Sequence, residues 1–258
     1  MWRSLGVSFC LLPIFVCQAV AQFNDTVPFG NSSSPSRSNG TVPDPPFWLE
    51  EIKHQGVATF QADSTYQVFR NVKDFGAKGQ HKQPILVLIA YSYVQGDGVS
   101  DDTAAINLAI SSGQRCGPGT CQSSTTSPAI VYFPAGTYRI SAPIIDYYLT
   151  QIIGNPNSLP VIKAASNFTA FALIDGNQYQ PGSATHPAGI LGFKATNVFY
   201  RQIRNLVLDT TAVSPNVSVN GIHWPTAQAT SLQNVVFRMS AANGTQHQGL
   251  FIEEGKSR

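Results

Sequence analysis

Apolar residues are distributed along this chain as they are in proteins built from many short β-strands. Beyond Ser127, brief runs rich in Ile, Val, Phe and Tyr are separated by clusters of Gly, Pro and Asn, the pattern of strands broken by turns. Ala129 to Phe133 reads as a strand, Pro134-Ala135-Gly136 as a turn, and Thr137 to Ser141 as the next strand. Further strands are predicted over 150–153, 161–164, 171–174, 203–209, 232–239 and 249–253. No helical periodicity intervenes, which disfavours a βαβ sheet. The one strong helical signal comes earlier, over 101–112. Ala105, Ile106, Ala109 and Ile110 share a face, Asp101 or Asp102 can cap its start, and Gly113 stops it. In that context the adjacent aspartates read as a helix start rather than a catalytic couple.

Two segments repeat. Ile203-Arg204-Asn205-Leu206-Val207-Leu208-Asp209 aligns with Leu232-Gln233-Asn234-Val235-Val236-Phe237-Arg238, an offset of 29 (203 to 232). Gly221-Ile222-His223 aligns with Gly249-Leu250-Phe251, an offset of 28 (221 to 249). Such a period is one coil of a parallel β-helix, in which each turn buries its apolar side only by stacking on its neighbour. Asn205 and Asn234 are then expected to stack at a coil corner. The helix becomes a lid over the open end of the first coil.

Composition adds the compartment. Arg3, the apolar run from Leu5 to Val16 and Ala19-Val20-Ala21 before Gln22 have the arrangement of a secretory signal, residues 1–21. Pro13 interrupts its apolar core, which is too short to span a bilayer. A secreted, extracellular product without a membrane contact is expected. Residues 22–46, rich in Ser, Asn, Pro and Gly, read as a disordered leader, and 47–258 as one globular domain. An oxidising route suits a disulfide between Cys116 and Cys121, which bracket a turn-rich loop; zinc is disfavoured because no histidines cluster with them. Asn-x-Ser/Thr sequons begin at Asn24, Asn31, Asn39, Asn167, Asn216 and Asn243 and are read as glycosylation sites on the exported chain. A net charge of +2 with 12% charged residues forms no polybasic or polyacidic face. Nucleic acid and acidic membranes are thereby disfavoured as partners. No motif calls for a metal or a cofactor, and a monomer is expected.

The stretch Asn71-Val72-Lys73-Asp74-Phe75-Gly76-Ala77-Lys78-Gly79 resumes at Gly96-Asp97-Gly98-Val99-Ser100-Asp101-Asp102-Thr103-Ala104-Ala105-Ile106. It resembles the opening of pectate-lyase-superfamily proteins, right-handed parallel β-helices that mostly act on polysaccharides. Ala129-Ile130-Val131-Tyr132-Phe133-Pro134-Ala135-Gly136-Thr137-Tyr138 is a common phrase of that superfamily. More specific are Pro143-Ile144-Ile145-Asp146-Tyr147-Tyr148, Arg201-Gln202-Ile203-Arg204-Asn205, Gly221-Ile222-His223-Trp224, Gln228-Ala229-Thr230-Ser231-Leu232-Gln233-Asn234 and His247-Gln248-Gly249. These are similar to fungal exo-β-1,3-glucanases of glycoside hydrolase family fifty-five. The resemblance implies an all-β fold, a right-handed parallel β-helix with an N-terminal capping helix. It further implies two such helices side by side in a longer chain, with a β-1,3-glucan site in the cleft between them. Glucose would be removed from chain ends with inversion, using a general-acid glutamate of the second β-helix. Since the similarity covers only the first, an N-terminal fragment is expected, inactive alone and incomplete in its last coil. Gln80 to Gln95, with the apolar run Ile85 to Tyr91, interrupts the family's opening; an insertion loop is one reading, and a translated intron the favoured one, since an exposed β-prone run is an aggregation hazard. Gly255-Lys256-Ser257-Arg258 reads as run-through of a splice donor.

Inverting hydrolysis needs a protonated carboxyl on one side of the sugar and an activated water on the other. By motif, Gln228 is the expected water-positioning residue, since an amide can both accept from and donate to a water; satisfying coil backbone is its ordinary alternative. His223 and Trp224 are the expected substrate-binding residues, through a hydrogen bond and a stacking face, with burial of the Trp as the competing reading. Glu253 and Glu254, as strand neighbours, point to opposite faces and are not expected to share a sugar. A pectin-active lyase or polygalacturonase would need calcium-binding carboxylates or paired aspartates beside cations. Arg201 and Arg204 lack an accompanying cluster of acids in the sequence. A non-catalytic glycan-binding β-helix is the remaining alternative.

Overall fold

The short apolar runs pair as parallel strands, coil upon coil, and make three faces. The structure, a computed structural model, describes residues 47–76, 97–182, 190–194, 198–225 and 229–253. All belong to one compact unit, Pro43–Arg258. The expected signal, leader, interrupting segment 80–95 and final residues from Glu254 onward lie outside the described residues.

The first face stacks Phe69–Asn71, Ala129–Phe133, Thr150–Gly154 and the leading halves of Gln202–Asp209 and Ser231–Arg238. The second stacks Asp97–Asp101, Thr137–Ile140, Val161–Ala164 and the trailing halves of the same two long strands. Ile144–Ile145, Ala172–Asp175, Val219–Pro225 and His247–Glu253 make the third. Parallel strands in one sheet require crossovers, which are right-handed in nearly every protein. The fold is thus the right-handed parallel β-helix that the repeat and the motifs lead one to expect. Its one antiparallel feature among the described residues is a small ribbon, Tyr179–Gln180 with Ile190–Leu191, between the third face and the next coil.

Register explains the core. Val131, Ile152, Ile203 and Leu232 lie in line on the first face. Tyr138, Ile162, Leu208 and Phe237 do so on the second, and Ile144, Ile174, Ile222 and Leu250 on the third. All twelve join one hydrophobic cluster, and only Leu232, Phe237 and Leu250, in the last coil, are half-buried. Full burial of each such side chain contributes roughly 1.5–3 kcal/mol.

The lid is the helix Thr103–Ser111, whose Ala105, Ile106, Ala109 and Ile110 are buried against Val72, Val131 and Phe133. Asp101 makes the capping bond and Asp102 does not. Asp101 Oδ1 accepts from the Thr103 N–H at 3.0 Å and from its hydroxyl at 2.6 Å, while Asp102 is fully buried. Gly113 ends the helix with φ +77°, where an added Cβ would come within 2.8 Å of the Tyr66 ring. Two buried arginines then satisfy the last carbonyls: Arg70 donates to Ala109 O at 2.8 Å, and Arg115 to Ile110 O at 2.8 Å. Cys116 and Cys121 follow and are joined by a disulfide, their Cα atoms 5.3 Å apart.

Some elements depart from expectation. Val72–Phe75, to which the sequence pattern assigns no element, is a 3-10 turn, because the Asn71 side chain accepts the Lys73 N–H at 3.0 Å and starts a tight turn. The helix Trp48–Glu51 and the strands Asp97–Asp101 and Ile144–Ile145 carry too few residues to show a period. Val219–Pro225 is buried along its whole length, so it shows none of the alternation by which strands are recognised. Among the described residues, no helix is long and apolar enough to cross a membrane.

The corner between the first and second faces is made by Asn205 and Asn234, which hold φ of 59° and 50° in the middle of the two long strands. Asn234 Nδ2 donates to Asn205 Oδ1 at 3.0 Å, and Asn205 Nδ2 to Gly154 O at 3.3 Å, so three coils are tied at one corner. Gly154 must be glycine there: its Cβ would lie 1.9 Å from Asn205 O. Asn205→Gly should lose only the amide bonds, about 0.5–1.5 kcal/mol each. Asn205→Val should add the strain of a β-branched residue at positive φ, on the order of 1–3 kcal/mol. Urea unfolding of both variants checks the ranking; equal losses would remove the corner's role.

Candidate functional site

The third face carries His223 and Trp224, two of the residues nominated from sequence. Along it Ile145, Asp175, His223 and Phe251 are aligned coil by coil. Alternation along a strand puts them on the opposite side from the inward Ile144, Ile174, Ile222 and Leu250. Asp175 Oδ1 lies 2.8 Å from His223 Nδ1 and also accepts the Asn177 N–H at 3.1 Å. The imidazole is 0% exposed. Tyr179 stacks parallel to it at 5.8 Å, Phe171 meets it edge-on at 5.1 Å, and Phe251 lies 5.9 Å away. Phe171 and Tyr179 themselves are 42% and 44% exposed. The cluster is therefore a polar pair roofed by aromatic rings that solvent reaches.

One residue further along each strand, a second group is sealed. Arg201 is fully buried, ion-paired with Asp146 at 3.6 Å, and its guanidinium lies 4.4 Å over the Trp224 ring. It donates to Pro225 O at 3.1 Å and to Gly176 O. Gly176 leaves the space for it: a Cβ there would stand 2.5 Å from Arg201 Nη1. Burial pushes the Asp146 carboxyl up to about 6, against the pull of Arg201 and Arg115. Burial likewise lowers Arg201 to about 10, with Asp146 and Asp175 opposing. A carboxyl that keeps its proton near pH 6 is what a glycosidase acid needs. Asp146 is 0% exposed, however, and so serves the corner, not a substrate.

The nominated residues separate on this geometry. His223 and Trp224 are brought into one neighbourhood, but neither shows a ring face to solvent: His223 lies under three aromatic rings, and Trp224, 4% exposed, lies under Arg201. Gln228 lies outside the described residues, as do Asn24, Asn31, Asn39 and Glu254. Glu253 ends the last strand, beside Pro225. Arg204 donates to Gln202 Oε1 on its own strand. Sequence reasoning missed Asp175, Phe171 and Tyr179. Asp175 stands 48 residues before His223, not 28 or 29, because the Tyr179–Leu191 ribbon is inserted within that coil. Treating that ribbon as an insertion would have aligned the pair. Among the described residues, no group of three or more His, Cys, Asp or Glu side chains could hold a metal. A separate cavity of about 610 Å³ opens beside Phe69–Asn71, lined by Glu50, His54, Tyr66, Arg70 and Asp74 among others; it contains none of the nominated residues.

A solenoid of this build, with an aromatic and polar strip on one face, is of the pectate-lyase-like class. Residues 92–258 match the family described as rhamnogalacturonase A/epimerase, pectate lyase-like, and the chain belongs to that family. It is 50% identical over 209 residues, 81% of its length, to a glucan 1,3-beta-glucosidase of Cochliobolus carbonum, covering 24% of that protein. To a probable glucan endo-1,3-beta-glucosidase of Arthroderma benhamiae it is 48% identical over 212 residues, 81% of this chain and 21% of the relative. It is also 42% identical over 209 residues, 81% of this chain and 15% of the other, to the non-secreted LysM effector LysM19 of Penicillium expansum. The chain thus spans about a quarter or less of each relative's length.

The sealed pair yields a prediction with a sign. The folded pKa of Asp146 lies above its ordinary 3.8, so the stability this group contributes is full below pH 4 and is lost as pH rises through 6. Arg201 limits that loss by facing the ionised form. Arg201→Met should therefore destabilise the fold by about 3–5 kcal/mol at pH 7, and by clearly less at pH 4, where Asp146 already carries its proton. Urea titrations at the two pH values test this; an equal loss at both would mean the carboxyl is not the group that needs the arginine.

Proposed function

We propose that this chain is the first β-helix of a secreted β-1,3-glucan hydrolase of the glucan 1,3-β-glucosidase type, and that its third face holds the glucan. The 50% identity over 81% of the chain to a glucan 1,3-beta-glucosidase carries this reading. The chemistry of the face supports it. Exposed Tyr179 and Phe171 offer flat apolar surface to the C–H faces of glucose, and the Asp175–His223 pair beneath fixes the tyrosine's height and tilt. Residues 1–21, with the organisation of an export signal, support secretion.

In this reading the described β-helix binds and orients sugar, while the proton for the leaving oxygen comes from a carboxyl on another part of the enzyme, with inversion. Gln228, in the motif after Pro225, holds the attacking water. An acidic polysaccharide, suggested by the family's description, is less favoured. It would need cations facing the strip, and Arg201, which adjoins it, is sealed beneath the face.

Affinity electrophoresis of the full chain in laminarin, carboxymethylcellulose and polygalacturonate discriminates these readings. Laminarin should retard the chain most, without release of glucose, and Tyr179→Ala should weaken the retardation several-fold, as loss of about 1 kcal/mol of ring contact implies. Retardation by polygalacturonate alone would refute the glucan assignment. Glucose release by the chain alone would refute the division of labour.

A further inference from the structure

Three sequons fall at one structural position. The described residues place Asn167 between Val161–Ala164 and Ala172–Asp175, Asn216 between Gln202–Asp209 and Val219–Pro225, and Asn243 between Ser231–Arg238 and His247–Glu253. Each loop is the passage from the second face to the third, on three successive coils. Each asparagine sits inside a hydrogen-bonded β-turn. The closing bonds are Phe168 N–H to Ala165 O at 3.0 Å, Val217 N–H to Ser214 O at 2.9 Å, and Thr245 N–H to Ala242 O at 3.1 Å. In the first two, the residue between Asn and Ser/Thr is the anchor: Phe168 is buried, and Val217 packs on the core. In the third, Gly244 takes φ +74°. All three asparagines are exposed.

Turns favour asparagine for structural reasons, so sequons can arise at coil corners by chance. The side chains tell the cases apart. Asparagines that serve this fold commit their amides to it: Asn107 to Pro143 O and Ile145 N–H, Asn177 to Phe193 N–H, Asn220 to Phe171 O. Asn167, Asn216 and Asn243 make no such bond with the described residues. Exposed in their turns, they contribute no side-chain bond to the described coils.

We propose that these three positions carry N-linked glycans, one per coil, forming a sugar ridge along the corner between the second and third faces. The inference rests on the export reading. In the transfer, Asn Nδ2 loses a proton and bonds to the anomeric carbon of a lipid-diphosphate-linked oligosaccharide. The bond from that carbon to the diphosphate breaks, and the lipid diphosphate leaves with the electron pair. The strands flanking these loops stack about 4.8 Å apart, far less than the width of a glycan, so three glycans in these loops close this corner to a docking protein or a second copy. The Asn205–Asn234 corner stays bare, and an approaching protein partner is confined to surfaces away from the ridge, which borders the third face.

The test is glycopeptide mapping of the full mature chain, exported from yeast behind the host's own leader, with enzymatic deglycosylation converting each occupied Asn to Asp. Modification at 167, 216 and 243 is expected, and Ser218→Ala should remove one glycan, at 216 only. A bare asparagine at any of the three in exported protein overturns the one-per-coil ridge. A parallel culture uses the chain's own first 21 residues. Retention inside the cell there defeats the export reading and with it the ridge on the natural product, whereas export with a bare asparagine defeats the ridge alone.

Discussion

A coil of this solenoid has no second layer of its own. The apolar side of each short strand is covered only by the equivalent side chain one coil above or below and by the two other faces of the same coil. Everything else follows from keeping those equivalents in line. Isoleucine and leucine recur at aligned positions on all three faces, and a slip of one residue would turn each of them outward. Asn205 and Asn234 pin the alignment, because a left-handed residue with a matching amide can sit only at a corner. At the first coil of the described residues, the helix Thr103–Ser111 covers the end of the ladder.

Much of this was legible in the sequence wherever the coil period was undisturbed. The alignments of 203–209 with 232–238 and of 221–223 with 249–251 are the strand pairings found. The bounds of Ala129–Phe133 and Val161–Ala164 were readable from their flanking turn residues. The period failed earlier in the chain, where Gln151 pairs with Gln202 across the inserted ribbon. No fixed offset could find that match. The same insertion hid Asp175 as the partner of His223, and so hid the site's polar centre. Adjacent residues on a strand also mislead about sites. His223 and Trp224 look like one binding pair in sequence, yet one stands under the aromatic roof and the other under Arg201.

The third face divides its chemistry by depth. Charges at the corner are buried and mutually compensated, with desolvation strong enough to hold Asp146 near 6 despite two arginines. Such a group stabilises geometry and cannot exchange protons with a substrate. The exposed layer is aromatic, formed by Phe171 and Tyr179. The relatives carry names that differ in mode, a glucosidase, an endo-glucosidase and an effector. What this chain shares with each of them is a stretch of 209 to 212 residues, about a quarter or less of the relative's length.

The alignment of coils can be measured without a functional assay. Arg204 and Gln233 are partners on neighbouring coils, so nitroxides attached through Arg204→Cys and Gln233→Cys spring from backbones about 4.8 Å apart, one strand spacing, and should come close enough to couple strongly. Coil-on-coil stacking in this register predicts a single spectrum dominated by strong spin–spin broadening. Two narrow, independent signals would contradict it, since residues 29 apart in sequence could not then lie side by side.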